Sequence, residues 1–120
     1  MRRLHAFLFV TDMRRSVEFY RRVLRVEPAY RSESWTEFAV GDARLGLHRW
    51  DGASAPSSAG VKLFFEVEDL DAERQRLAQE GVRLHGEVRV LPGAGRHLDF
   101  EDPDGHILQL WEPEARAHRP

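Results

Sequence analysis

Lys62 is the only lysine beside 17 arginines, and in an extended segment it shares a face with Phe64 and Glu66. A lysine stripped of water becomes a base, and a nearby carboxylate can exchange protons with it, so Lys62 and Glu66 form a candidate metal-free acid/base pair. His5 and His48 add two imidazoles suited to metal binding or to orienting a polar substituent. Gln109 adds an amide. Rings crowd the same stretches: Phe7, Phe9, Trp35, Trp50, Phe64 and Trp111, with Glu37 among them. Aromatic side chains stack on planar ligands for about 0.5–1.5 kcal/mol beyond burial, while a few polar groups orient substituents. The implied ligand is a planar aromatic small molecule with a polar fringe. His85, His97 and His106 find no partner in the pattern and read as surface or turn residues.

Composition narrows the alternatives. The 120 residues are 42% apolar and 32% charged, ordinary for a globular chain that buries roughly 65% of its unfolded surface. No cysteine is present, which excludes thiolate nucleophiles and disulfides. The formal charge is −2 and the basic residues are scattered, so no nucleic-acid partner is expected. The apolar start, Leu4 to Val10, reaches Thr11-Asp12 too early for a signal peptide, and no membrane span is expected. It reads as a strand in a cytoplasmic protein.

The elements that must position these side chains follow from periodicity. Leu4 to Val10 alternates, with His5, Phe7 and Phe9 on one face and Leu8 and Val10 on the other. Asp12 caps a helix carrying Met13, Val17, Tyr20 and Leu24 at helical spacing. A short strand near Tyr30 precedes strands over Trp35–Val40 and Ala43–Trp50, split by Gly41-Asp42. Residues 51–60, DGASAPSSAG, read as a flexible connector. The order then restarts: Val61–Val67 is a strand, Asp69 or Asp71 caps a helix with Leu70 and Leu77, and Gly81 marks its left-handed stop. Val82–Leu91, Arg96–Glu101 and His106–Glu112 are further strands, separated by Pro92-Gly93-Ala94-Gly95 and Asp102-Pro103-Asp104-Gly105. The tail, 113–120, reads as frayed and carries no expected function.

A repeat underlies this order. Val10-Thr11-Asp12-Met13 and Val67-Glu68-Asp69-Leu70 stand alike before their helices, which sets His5 against Lys62. Leu45-Gly46-Leu47 matches Leu108-Gln109-Leu110, which sets Gly46 against Gln109. The expected architecture is α+β, one domain of two tandem βαβββ modules at about 1–50 and 61–112, forming a cupped mixed sheet with helices on the outer face.

The segments LHAFLFVTDMRRSVEFYRRVL, VKLFFEVEDLDAERQRLAQEGV and FEDPDGHILQLWEP, in that order, resemble the vicinal-oxygen-chelate superfamily of glyoxalases, bleomycin-resistance proteins, fosfomycin-resistance enzymes and extradiol dioxygenases. The resemblance implies a homodimer with pockets shared between chains, and, in its enzymes, a divalent ion held by the first and last strands of each module. By register those positions are His5, Gly46, Lys62 and Gln109, of which only His5 is a conventional ligand, with His48 a possible second imidazole. The pattern is closer to the metal-free drug-binding members. The expectation is therefore a bleomycin-resistance-like protein that sequesters an aromatic natural product or antibiotic without turnover, with no metal, no cofactor and no catalytic residue. The alternative is a metal-dependent glyoxalase-like lyase or isomerase, or a dioxygenase. The expected ligand-binding residues are His5, Phe7, Phe9, Trp35, Glu37, His48, Trp50, Lys62, Phe64, Glu66, Gln109 and Trp111.

Overall fold

Alternation parts the first strand into a buried and an open face, as a period of two requires. In the computed structural model, which describes residues 3–52 and 62–114, Leu8 and Val10 are buried while Phe7 is half exposed. The chain divides into two units on either side of residues 58 and 59. The expected α+β class is what the structure shows, each unit running β-α-β-β-β.

The first unit comprises β1 (His5–Val10), α1 (Met13–Leu24), β2 (Tyr30–Arg31), β3 (Trp35–Val40) and β4 (Ala43–Arg49), in sheet order β1-β4-β3-β2. β1 runs parallel to β4, and the other pairs are antiparallel. Asp12 caps α1 by accepting from the Arg15 N–H at 3.1 Å. The helix buries Ser16, Val17, Phe19, Tyr20 and Val23. Phe38, Leu45 and Leu47 are buried from the same sheet, with the Tyr20 and Phe38 rings 6.4 Å apart. Each such large apolar side chain contributes roughly 1.5–3 kcal/mol on burial. α1 stops at Arg25 in the left-handed region, φ 58°, where its N–H still reaches the Arg21 carbonyl.

The second unit repeats the plan with β5 (Phe64–Glu66), α2 (Leu70–Gln79), β6 (Arg83–Leu91), β7 (Gly95–Glu101) and β8 (Ile107–Pro113), in order β5-β8-β7-β6. Its core is Leu70, Leu77, Leu98, Phe100, Leu108 and Leu110. Asp69, rather than Asp71, is the cap of α2, accepting from Ala72 N–H at 3.1 Å. Only Leu70 and Leu77 of this helix are buried, and ions do much of the fastening. Glu112 accepts the Leu70 N–H at 2.8 Å, and Arg96 spans Glu112 and Asp71 at 2.9 and 3.1 Å. A carboxylate here also faces the positive end of the helix.

The repeat register is visible in the ladders: Phe7 pairs with Gly46 on β4, and Phe64 pairs with Gln109 on β8. Several boundaries differ from expectation, most by a single residue. β8 runs through Pro113, which pairs with Gly95, and the Glu114 N–H reaches the Ala94 carbonyl at 2.7 Å, so the tail begins later. β5 is shorter than expected, Phe64–Glu66 rather than 61–67. Most of the expected connector, from residue 53 on, and tail residues 115–120 lie outside the described residues. Among the described residues no helix is long and apolar enough to cross a membrane.

Candidate functional site

In the first unit, β1, β3 and β4 turn His5, Phe7, Phe9, Trp35, Glu37 and His48 to the face opposite the buried residues, with Trp50 just beyond β4. The rings touch one another. Phe7 lies 5.3 Å from Phe9, 5.8 Å from Trp35 and 5.8 Å from His48, and Phe9 lies 4.9 Å from Trp50. Most meet edge to face, the arrangement that ring quadrupoles favour. Gly46 makes this possible, because a β-carbon there would overlap the Trp35 indole. The ring therefore lies on bare backbone. Seven of the expected residues are thus brought to one face. A larger hollow of about 730 Å³ in this unit is lined by Thr11, Arg14, Arg31, Glu33 and Arg49, among others, and holds none of them.

The two imidazoles of this face cannot share an ion within the unit. His5 pairs with Arg44 while Phe9 pairs with His48, so four strand steps separate the two histidines, roughly 13 Å. Metal–imidazole bonds are about 2.0–2.1 Å long. His5 Nδ1 lies 4.0 Å from Glu37, and His48 Nδ1 donates to the Arg49 carbonyl at 2.9 Å.

The open face of the second sheet is polar. Lys62 Nζ donates to Asp99 Oδ2 at 2.8 Å, and Gln109 Nε2 donates to Asp99 Oδ1 at 3.2 Å. The same amide lies 3.3 Å from His97 Nδ1. With its two N–H groups serving carboxylate and imidazole, the amide makes Nδ1 an acceptor and leaves the His97 proton on Nε2. Burial works to raise the Asp99 carboxyl, but the hydrogen bonds from Lys62 and Gln109, with the nearby charge of Lys62, hold Asp99 below the usual carboxylate range. The carboxylate stays ionised.

This arrangement corrects two expectations. Lys62 is paired with Asp99 and not with Glu66, which lies four strand steps away opposite Trp111. His85 is exposed, as expected, but it and His97 do have partners: His97 joins Gln109, and His85 Nε2 meets Glu101 at 2.6 Å. The signal for His97 was available in the β7–β8 pairing, where His97 faces Trp111 and Asp99 faces Gln109. Register across that hairpin, rather than spacing along one strand, carried it. His106 is buried, and its Nδ1 lies 2.7 Å from Asp102.

Beside this array lies a hollow of about 460 Å³ lined by Lys62, His85, Gly86, Glu87, Arg89, His97, Leu98 and Asp99. An irregularity in β6 opens it. His85 pairs with Asp99 and Arg89 with His97, so four steps on β6 face two on β7, and Gly86 takes φ 72° within the bulge. Of the twelve expected residues only Lys62 lines this hollow. Phe64 stands exposed opposite Gln109, and Trp111 lies between Glu66 and His97.

A divalent metal finds no set of ligands here. Among the described residues no group of three or more His, Cys, Asp or Glu side chains could hold an ion. At the register positions Gly46 lacks a side chain, Gln109 is uncharged, and Lys62 brings a cation. The residues do not fit a metal.

The chain belongs to the Glyoxalase/Bleomycin resistance protein/Dioxygenase superfamily, whose pattern matches residues 2–110. Among curated proteins it is 29% identical over 111 residues to metallothiol transferase FosB of Shouchella clausii, covering 88% of this chain and 76% of that protein. It is 28% identical over 116 residues to the phenazine antibiotic resistance protein EhpR of Enterobacter agglomerans, covering 86% and 85%. Its fold matches the crystal structure of fosfomycin resistance protein FosX from Listeria monocytogenes complexed with Mn(II) and sulfate, with TM-score 0.77, 21% identity and coverage of 94% and 90%. These relatives overturn the expectation of a non-catalytic sequestering protein. A transferase and fosfomycin-resistance proteins favour the enzymatic alternative, and they do not single out the metal-free drug-binding branch.

Proposed function

We propose that this chain is an enzyme that modifies a small oxygen-bearing molecule by stabilising negative charge developing on a substrate oxygen. One observation carries the reading: the donor-rich array of Lys62, Gln109 and His97 around Asp99, beside the hollow at the β6 bulge. Lys62 has three N–H donors and Asp99 engages one, so others can meet a substrate oxygen. The His97 Nε2–H is a further donor. Preorganised donors of this kind favour the charged transition state over the neutral ground state. The array is poor in bases, since Asp99 is held ionised by its cation and His97 Nδ1 is already engaged. Its contribution is electrostatic.

The relatives' names direct the choice of substrates. Loss of fosfomycin followed by phosphorus NMR, with water and with thiols as nucleophile, tests one arm, and a 2-oxoaldehyde hemithioacetal followed by absorbance tests the other. Turnover of at least one substrate is expected, with a loss of about 100-fold or more on replacing Lys62 with Met. No turnover of any member, with or without added Mn(II), would sink the reading. For the first sheet, we infer that the Phe7, Trp35 and His48 rings receive the apolar part of a ligand; quenching of Trp fluorescence by planar aromatic compounds, absent in Trp35→Leu, tests that role.

A further inference from the structure

We propose that Lys62 is a resident cation standing in for a divalent metal, so that the second unit engages a substrate oxyanion with its own ammonium and needs no ion. The inference deepens the proposed function and rests on it for the identity of the reacting oxygen. The ladders place the residue: Phe64–Gln109 repeats Phe7–Gly46, which puts Lys62 at the position that His5 holds in the first unit. A FosX structure of the same fold contains Mn(II), whereas here the described residues offer no three-ligand group. The nearby carboxylate is already taken. Asp99 is neutralised by Lys62 at 2.8 Å and crowded by the Gln109 amide, so an ion seeking Asp99 would meet an ammonium at contact distance.

The surroundings suit an oxyanion. Arg89 lines the same hollow, and its guanidinium makes no hydrogen bond or ion pair among the described residues. The Lys62 side chain is 46% exposed and can be reached from solvent. Glu87 and Asp99 are the carboxylates in the wall, and Asp99 is already answered by Lys62. An incoming oxyanion takes an N–H of Lys62 that Asp99 does not use and draws on Arg89 across the bulge. No bond is made or broken in this step, and Asp99 keeps its contact.

Titration calorimetry of the full chain with Mn(II) and with Zn(II), and with inorganic phosphate against chloride at matched ionic strength, tests this without turnover. The wild type is expected to show no saturable metal binding below about 1 mM, and phosphate binding that weakens about tenfold or more in Lys62→Met but survives in Lys62→Arg. The double variant Lys62→His, Gln109→Glu, which supplies two ligands beside Asp99, is expected to bind Zn(II) at least about 100-fold more tightly than the wild type. Stoichiometric micromolar metal binding by the wild type, phosphate binding indifferent to Lys62→Met, or a folded double variant that gains no metal affinity would each overturn the inference. Should the double variant fail to fold, the wild-type and Lys62→Arg titrations decide. Metal-dependent turnover would remove the inference and leave the proposed enzyme standing; phosphate binding without any turnover would do the reverse.

Discussion

At matched places in the two sheets, Gly46 stands opposite Phe7 and Gln109 stands opposite Phe64. The glycine lets the Trp35 ring lie on the backbone of the first sheet, whereas the glutamine raises an amide that ties Asp99 to His97. One sheet therefore opens as a hydrocarbon surface and the other as a charged one. Their helices differ as well: α1 buries five residues, while α2 buries two and is held at its start by Glu112 and Arg96. Strand order and register are shared because turns and the buried face set them, and side chains on the open face can diverge without disturbing either.

The largest effect should come from filling the bare backbone. Gly46→Ala forces the Trp35 indole off the sheet and is expected to destabilise the chain by about 1–3 kcal/mol, with a changed near-ultraviolet circular dichroism. Gln109→Ala removes two half-buried hydrogen bonds without displacing a packed ring and should cost about 1 kcal/mol in denaturant titration. Equal losses would erase the distinction between the two faces.

Next is the fastening of the helices. Glu112→Ala leaves the Leu70 N–H without its acceptor and should cost about 1–2 kcal/mol, with faster amide exchange in α2 and none of that acceleration in α1. Uniform acceleration would mean that α2 is not tied by this carboxylate.

A smaller, pH-dependent contribution comes from His106 in the second unit. The hydrogen bond with Asp102 raises the His106 pKa against the opposing effect of burial. A raised folded-state value means the contribution is complete below the usual value of 6.5 and fades as pH climbs through the folded-state value. Tm of the wild type should fall, as pH rises above the usual imidazole value of 6.5, more than that of His106→Asn. Parallel curves would show that the pair is indifferent to protonation.

The smallest effect concerns how the helices stop. α2 is followed by Gly81 at φ 79°, but α1 ends on Arg25 at φ 58°, a conformation that disfavours a side chain. Arg25→Gly is expected to stabilise by about 0.5–1 kcal/mol, and Gly81→Ala to destabilise by a similar amount, both read from denaturation midpoints.

Much of the architecture could be read from local pattern. Alternation along Leu4 to Val10, the caps Asp12 and Asp69, and the matched segments around Gly46 and Gln109 determined two βαβββ units and the faces that Phe7, His48 and Lys62 occupy. These features depend on neighbours within a few residues, so sequence spacing expresses them. The stop at Arg25 has no such local mark, since no glycine stands there.

The partner of Lys62 belonged to the tertiary structure. Along its strand Glu66 is the carboxylate in phase, yet Asp99, 37 residues on, reaches the ammonium because β8 lies between β5 and β7. Pairing between distant strands also turned His97 toward Gln109, and the bulge in β6 opened the hollow beside them. By itself the sequence determined which face each side chain would take, since a strand has only two. Which charges would meet on that face was decided only when strands far apart in the chain came into register.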